Sequence, residues 1–476
     1  MLQRFSCIVL VATIVSCSST YHEKVGAAKR AYYAGDTTGA VEQMAQVLED
    51  CPEGDAYHTC ALLDQSIVSL AAGDAATAEA NLRSVRDVLD DVERQETKAL
   101  FSEIGTYLTD DRSKPYGGED YEKIMIRVML AFANLLRGGD DVIAYTNQVL
   151  EKQREILDQA SPLPNETKWK SDYKMIGTGA YVYGLITEER DPTAGSEAKI
   201  SYERVRNWEP RFRSIDKELD RVERGHYAQA GNGVLYVFAF VGKGPQKVEI
   251  HRNDVAVVSE LSLQMLRFIP HLDRYGPTLD LSPIKVPAVH RDPTNSIVDV
   301  SVQIDGVESG KTETLTDVTA TALQHHAKNR DWILTKAVLR RMVKKAVVTG
   351  LKGTGRTLTE RGASRGTQNT AAVLFEIGGI VANTVWSAIE RADTRFWSLL
   401  PDKIQVLRVE APAGQHTVSL TPQLGGKGSG MQRSVDVSVV GGANTYVFWF
   451  VAAPEQAPAP LTNRPVEHVA GKVVRP

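Results

Sequence analysis

The 476-residue chain has only four cysteines and no excess of charge of one sign. Its formal net charge is −4, so it lacks the basic field that holds a phosphate backbone, and nucleic-acid binding is not expected. Hydrophobic residues make up 42% and charged residues 24%, a composition that excludes wholesale disorder, collagen and a polytopic membrane protein. A chain of this length is too long to fold around one compact core, so two or three domains are predicted.

Local catalytic motifs are also missing. The sequence contains no Gly-x-Ser-x-Gly elbow, no Walker loop and no zincin motif. Residues 350–357 imitate a phosphate loop, but they lack its Gly-Lys-Ser/Thr ending and a preceding strand. His325-His326 has no carboxylate at i+3 or i+4, so a metal pair is not expected there. No catalytic residue, cofactor or metal ion is therefore predicted, although an enzyme without a local signature stays open.

The first residues have the pattern of an export signal. A short basic start at residues 1–4 precedes an apolar run at residues 7–15, which is too short to span a bilayer. Ile14-Val15-Ser16-Cys17 resembles the lipobox of bacterial lipoproteins, in which the Cys is acylated and the peptide is cut before it. We expect lipid on Cys17, and more than one acyl chain makes such attachment durable. The alternatives are a plain secretory signal or a mis-set start codon.

Cys51 and Cys60 remain once residues 1–16 are removed and Cys17 carries lipid. Two cysteines nine residues apart in an exported chain predict a disulfide that closes a small loop between helices. Such a loop would contribute about 2–3 kcal/mol to stability. A zinc pair is the competing interpretation, but only His58 lies near as a further ligand.

Apolar residues recur at three- and four-residue spacing from residue 21 to 224, which predicts helices. A short theme repeats within them, in which Gly ends one helix, Asp caps the next and Ala allows close approach. Its three copies are Gly35-Asp36 with Ala40, Gly73-Asp74 with Ala78, and Gly139-Asp140 with Ala144. A degenerate fourth copy runs from Tyr181 to Tyr202. The theme resembles the tetratricopeptide (TPR) repeat, which implies stacked helix pairs and a concave surface for peptides or proteins. An unspecialised helical bundle is the alternative.

Strand patterns begin near residue 232. The predicted strands are residues 234–241, 247–251, 284–289, 297–304, 404–409, 415–421, 434–440 and 445–451. Pro287 restricts its strand to a sheet edge, and Asp305-Gly306 predicts a hairpin turn. Helices are expected at about 315–348 and 371–390. Residues 371–389 approach the length of a membrane span, but Glu376 and Asn383 favour a buried or partner-facing helix.

The predicted fold class is therefore α+β. An N-terminal TPR-like helical domain at 17–225 precedes a β-rich, sandwich-like domain at 232–453 with interspersed helices. The Pro- and Ala-rich residues 454–476 are expected to form a disordered tail.

Two strings are distinctive. In the first, residues 110–123, Asp111 and Glu119 could act as an acid/base pair while Arg112 and Lys114 hold an anion. A simpler interpretation is a helix N-terminus whose acidic residues favour the dipole and whose Tyr116 packs the entry. In the second, residues 392–401, we expect an Asp393–Arg395 salt bridge with Trp397 buried beneath it.

Both strings resemble the signature of a poorly characterised family of bacterial lipoproteins, which joins TPR-like helices to a β-rich C-terminal half. Its members are often encoded near curli-assembly-like and penicillin-binding-protein-activator-like lipoproteins. The resemblance spans nearly the whole mature chain. It implies an envelope role and carries no established activity, so it assigns no catalytic residue.

The expected function is a scaffold that binds envelope proteins and is lipid-anchored, at the periplasmic face of the outer membrane. The candidate interaction residues are Asp111, Arg112, Lys114, Tyr116, Glu119, Asp393, Arg395 and Trp397. One alternative is an envelope enzyme that acts on glycan or peptide through the Asp111–Glu119 loop. Another is a surface-assembly component in which residues 371–389 insert into an oligomeric neighbour.

Overall fold

The computed structural model describes residues 20–99, 115–159, 170, 172–191, 196–252, 284–338, 392–426 and 428–466. Helices occupy the first half and strands dominate from Asn232 onward, which confirms the α+β class. The helices are α1 Tyr21–Tyr33, α2 Thr37–Asp50, α3 His58–Ala71, α4 Ala75–Ala99, α5 Asp120–Leu136, α6 Val142–Leu157, α7 Thr178–Arg190, α8 Ser196–Trp208, α9 Ile215–Glu223 and α10 at residues 318–338. From α1 to α9, each helix packs against the next one along the chain.

The first two copies of the Gly-Asp theme form as predicted. Gly35 and Gly73 have φ of 72° and 88°, the left-handed region that ends a helix without cost for Gly. The Asp36 carboxylate accepts the Gly39 amide at 2.8 Å, and Asp74 accepts the Thr77 amide at 3.0 Å. Ala40 and Ala78 are fully buried.

The third copy differs from the prediction. Asp141, not Asp140, is the residue before α6, and its amide donates to Asn134 Oδ1 at 3.0 Å. Ala144 is exposed, and Tyr145 is buried in its place. The Tyr145 hydroxyl donates to Glu79 at 2.6 Å, so α6 buries Tyr145 where the repeat pattern predicted Ala144.

The strands form two larger sheets and a ribbon. Their bounds are β1 Asn232–Val241, β2 Gln246–Arg252, β3 Ile284–His290, β4 Ile297–Ile304, β5 Val307–Lys311, β6 Glu313–Asp317, β7 Lys403–Pro412, β8 Gly414–Leu424, β9 Arg433–Val439, β10 Asn444–Val451 and β11 Leu461–Thr462. The five-stranded sheet has the order β11-β10-β1-β7-β6, the four-stranded sheet β5-β4-β8-β9, and β2 pairs with β3. β1 is parallel to β10 and antiparallel to β7.

Strand β1 is buried on both faces because it lies in the middle of three layers. Its alternate residues Tyr236, Phe238 and Phe240 face the helices, where the Phe132 ring of α5 lies 5.0 Å from Phe238 and 5.1 Å from Phe240. The intervening Leu235, Val237, Ala239 and Val241 pack against the four-stranded sheet. Helices and five-stranded sheet therefore share one core. The expected boundary between residues 225 and 232 marks a change of secondary structure and does not separate two cores.

All eight predicted strands are confirmed, and β5, β6 and β11 are additional strands. β4 has the predicted bounds, and Asp305 and Gly306 adopt φ of 53° and 79° in the turn to β5. Pro287 lies in the two-stranded ribbon, where both strands are edges. The helix expected from residue 315 begins instead at 318, because β6 pairs with β7 and buries Leu315.

The prediction of a disordered tail is wrong for residues 454–466. β11 pairs with the edge strand β10, and Trp449 Nε1 donates to the Pro458 carbonyl at 2.9 Å. Ala457 packs on Gly35, where a Cβ would lie 3.1 Å from the Ala457 backbone. The Pro-rich segment thus packs against the open edge of β10 and against the turn at Gly35, which has no side chain. Residues 467–476 lie outside the described residues.

Residues 339–348 and the predicted helix at 371–390 also lie outside the described residues, so these predictions stay open. No helix in the described ranges is long and apolar enough to span a membrane.

Candidate functional site

The two distinctive strings of the sequence come together in the structure. Residues 392–402, here called the strap, have neither helix nor strand conformation and contact the middle of α3 and the first turn of α5 before entering β7. The predicted salt bridge is present, with Arg395 Nη2 2.8 Å from Asp393 Oδ2. The Trp397 side chain is completely buried. Its backbone N–H donates to Glu122 of the first string at 2.7 Å.

Glu122 is a buried carboxylate in the first turn of α5. Its Oε1 accepts the Trp397 amide, and its Oε2 accepts the Glu119 amide at 2.9 Å in a capping box. The hydroxyls of Tyr116 and Tyr121 also donate to it. Burial and then the charge of Glu119 raise the pKa of Glu122 to about 6.

Asp64 of α3 is the second buried carboxylate on the strap. It accepts the Ser398 hydroxyl at 2.6 Å, the Leu399 amide at 2.9 Å and the Tyr21 hydroxyl at 2.7 Å. Burial raises the pKa of Asp64. Two carboxylates on different helices therefore accept the alternate amides of Trp397 and Leu399 in the strap.

Sequence reasoning missed both Asp64 and Glu122. A signal existed for Asp64, because it interrupts the apolar run of α3 between Leu63 and Ile67. Glu122 gave no such signal, since an acidic residue in the first turn of a helix is ordinarily solvated.

Three cations surround these carboxylates. Lys247 of β2 pairs with Glu119 and donates to the Arg395 carbonyl at 3.2 Å. The Arg395 guanidinium lies 5.4 Å from the Tyr116 ring centroid and donates to the Ala56 carbonyl at 3.0 Å. Lys29 of α1 is buried and acts electrostatically on Asp64. We call this group of carboxylates, cations and tyrosines around the strap the junction.

The structure has Cys51 and Cys60 as buried free thiols, so the predicted disulfide is not formed in it. Cys51 ends α2 next to Lys24, whereas Cys60 lies in α3 beside the charges of Glu122 and Arg395. Both thiols also act electrostatically on Tyr21 of α1. Burial raises the pKa of each thiol, which disfavours the reactive thiolate.

The zinc alternative has no support at these cysteines. His58 directs Nδ1 to the Cys51 carbonyl at 2.8 Å. Within the described ranges, no three His, Cys, Asp or Glu side chains are grouped so that they could hold a metal ion.

Of the predicted acid/base pair, only Glu119 lies among the described residues. Asp111, Arg112 and Lys114 lie outside the described residues, and Glu119 is engaged by Lys247. Burial opposes ionisation of Glu119, but Lys247 outweighs it and lowers the pKa of that carboxyl. Glu119 is thereby held as an anion in an ion pair, which does not suit it to donate a proton.

A groove of about 470 Å³ lies apart from the junction, between α6 and α8 and over α7. Its apolar lining includes Leu150 and Ile200, and Ile200 is 49% exposed. Glu197 at its rim accepts the Tyr183 hydroxyl at 2.9 Å. Arg154 and Arg204 also line it, and no side chain in the described part of the chain forms an ion pair with either.

No protein-family model matches the chain, and no curated protein matches it.

Proposed function

We propose that the protein is a scaffold of the bacterial cell envelope, lipid-anchored through Cys17, whose TPR-like helices bind partner proteins. The observation that carries the proposal is the run of consecutive packed helices α1–α9, in which Gly-Asp turns join α1 to α2 and α3 to α4. Stacked helix pairs commonly serve as binding surfaces for peptides or proteins. The resemblance of residues 110–123 and 392–401 to a lipoprotein family supports the same location.

A lipid on Cys17 would hold the helices close to the bilayer. α1 begins at Tyr21, only four residues after Cys17. Four extended residues reach at most about 14 Å. The N-terminal end of α1 would therefore face the membrane.

The α6–α8 groove is the partner surface of this proposal. Its exposed Ile200 suits an apolar side chain, and its charged lining is mixed, with Arg154 and Arg204 beside Glu151 and Glu197. The expected ligand is thus a segment of an envelope protein with an exposed apolar residue among polar ones.

The proposal is tested by crosslinking in intact cells, followed by purification of the membrane-extracted protein. Ile200→Glu should abolish the crosslinked partner, since it places a charge in the apolar part of the groove. Val41→Glu is the matched control, because Val41 is 40% exposed on α2, outside the groove. Loss of the partner in both variants, or in neither, would contradict the groove assignment.

A further inference from the structure

Residues 454–460, the Pro-rich segment before β11, pack on the rest of the chain with a three-residue period. Pro454, Ala457 and Pro460 are buried, whereas the four residues between them are exposed or half-buried. Three residues per turn is the period of the polyproline II helix. Pro458 and Pro460 fix their own φ and keep the residues before them out of the α-helical region, so the end of the segment favours this conformation before it binds.

The polar contacts of the segment are made by its carbonyl groups. Three donors from in and around β9 and β10 reach them, namely a backbone amide, a guanidinium and an indole N–H. The pairs are Met431 N with the Pro454 carbonyl at 2.7 Å, Arg433 Nε with the Ala457 carbonyl at 2.9 Å, and Trp449 Nε1 with the Pro458 carbonyl at 2.9 Å. Because proline has no N–H, a Pro-rich segment presents acceptors to these donors and few donors that need partners of their own.

The turn between α1 and α2 closes the other side of the segment. Gly35 lies so near that a Cβ there would be 3.1 Å from the Ala457 backbone. The Ala457 side chain packs in the same core cluster as Trp449, which is completely buried. We call the surface formed by Gly35, Met431, Arg433 and Trp449 the tail cleft. An aromatic side chain and carbonyl-directed donors in one groove suit a Pro-rich ligand, whose preformed helix loses little entropy on binding.

We propose that the tail cleft is a binding site for polyproline II segments, which residues 454–460 occupy as an intramolecular ligand, and that a Pro-rich segment of another protein binds there by displacing them. The partner segment should carry small or Pro residues three positions apart. The tail cleft shares no residue with the α6–α8 groove, so this second surface is independent of the function proposed above. Displacement requires little unfolding, because the described strand that follows, β11, has only two residues.

The chain's own segment competes with any partner. The chain bends at residues 452–455 as it leaves β10, so the segment stays beside the tail cleft at an effective concentration of about millimolar. A partner segment should therefore bind much more tightly once the intramolecular segment is released.

A fluorescent peptide with the sequence of residues 453–463 measures binding by anisotropy on the full-length protein. Ala457→Asp places a charge at a buried position of the intramolecular segment and should release it without changing the tail cleft. The peptide should bind this variant at least about tenfold more tightly than the wild type. Ala459→Asp is the matched control, since Ala459 is exposed in the same segment, and it should bind the peptide like the wild type.

Further variants locate the ligand and define its class. Arg433→Leu, added to Ala457→Asp, removes a charged donor and should weaken peptide binding about tenfold. A peptide with Pro454→Ser, Pro458→Ser and Pro460→Ser loses its preformed conformation and should also bind about tenfold more weakly. In the full-length chain, Pro460→Asp changes another buried position and should release the segment as Ala457→Asp does, so the result does not depend on one substitution.

Absence of peptide binding to both releasing variants would overturn the proposal, as would equal binding to the wild type and Ala457→Asp. Binding that Arg433→Leu leaves unchanged would place the ligand elsewhere and would also overturn it. A wild-type dimer that Ala457→Asp converts into a monomer would identify the segment of a second copy as the occupant, and would overturn the assignment to another protein.

Discussion

Phe132→Ala should destabilise the helical and β-rich halves together. The Phe132 ring is 1% exposed and lies 5.0, 5.1 and 6.0 Å from the rings of Phe238, Phe240 and Phe448. Removal of such a ring costs about 3–5 kcal/mol, because the transfer free energy is lost and a cavity remains. The unfolding entropy of a chain this long is about 1 kcal/mol per kelvin, so Tm should fall by about 3–5 °C.

The assay follows unfolding with two probes. Circular dichroism reports mainly on the helices, and tryptophan fluorescence reports on tertiary packing around the six tryptophans, of which Trp397 in the strap and Trp449 in β10 are completely buried. Because both halves share one core, the two curves should coincide in the wild type and shift together in Phe132→Ala. Phe132→Leu, which retains most of the apolar volume, should shift both by about 1 °C. Two separated transitions, of which only one responds to Phe132→Ala, would refute the shared core.

Three further predictions concern local features. Burial opposes protonation of His416, but the Asp305 carboxylate, 2.7 Å away, outweighs burial and raises the His416 pKa. The stability that this pair contributes should therefore be present below the ordinary pKa of His and be lost as the pH rises through the raised pKa. The melting temperature should fall from pH 6 to 8 in the wild type, and it should fall less in His416→Gln. Gly35→Ala should lower the melting temperature more than Gly54→Ala, since both residues have positive φ but only a Cβ at Gly35 meets backbone atoms. Deletion of residues 455–476 should lower stability by about 1–3 kcal/mol in urea denaturation, because Trp449 Nε1 loses its acceptor.

Sequence patterns predict local elements of this fold well. β4 and the Asp305-Gly306 turn have the expected positions, because strand alternation and turn residues act over a few neighbours. The first two Gly-Asp turns are also local, and each forms with the capping bond expected.

The features that sequence reasoning missed depend on distant contacts. Asp64 binds Ser398 and Leu399, more than 330 residues away, and Glu122 binds Trp397, 275 residues away. Residues 454–466 have the composition of a disordered tail, and their order comes from the edge of β10 and the Gly35 turn. The composition of residues 454–466 does not show that they will contact the edge of β10 or the Gly35 turn.

The proposed function requires lipid attachment at Cys17, which the mass of the mature protein can show. Protein extracted from membranes should begin at Cys17, carry the added mass of acyl chains, and incorporate labelled palmitate. Cys17→Ser should remove the label, whereas Cys7→Ser, which changes a cysteine within the predicted signal, should keep it. An unlabelled chain that begins at Met1 and is found in the cytosol would contradict the account.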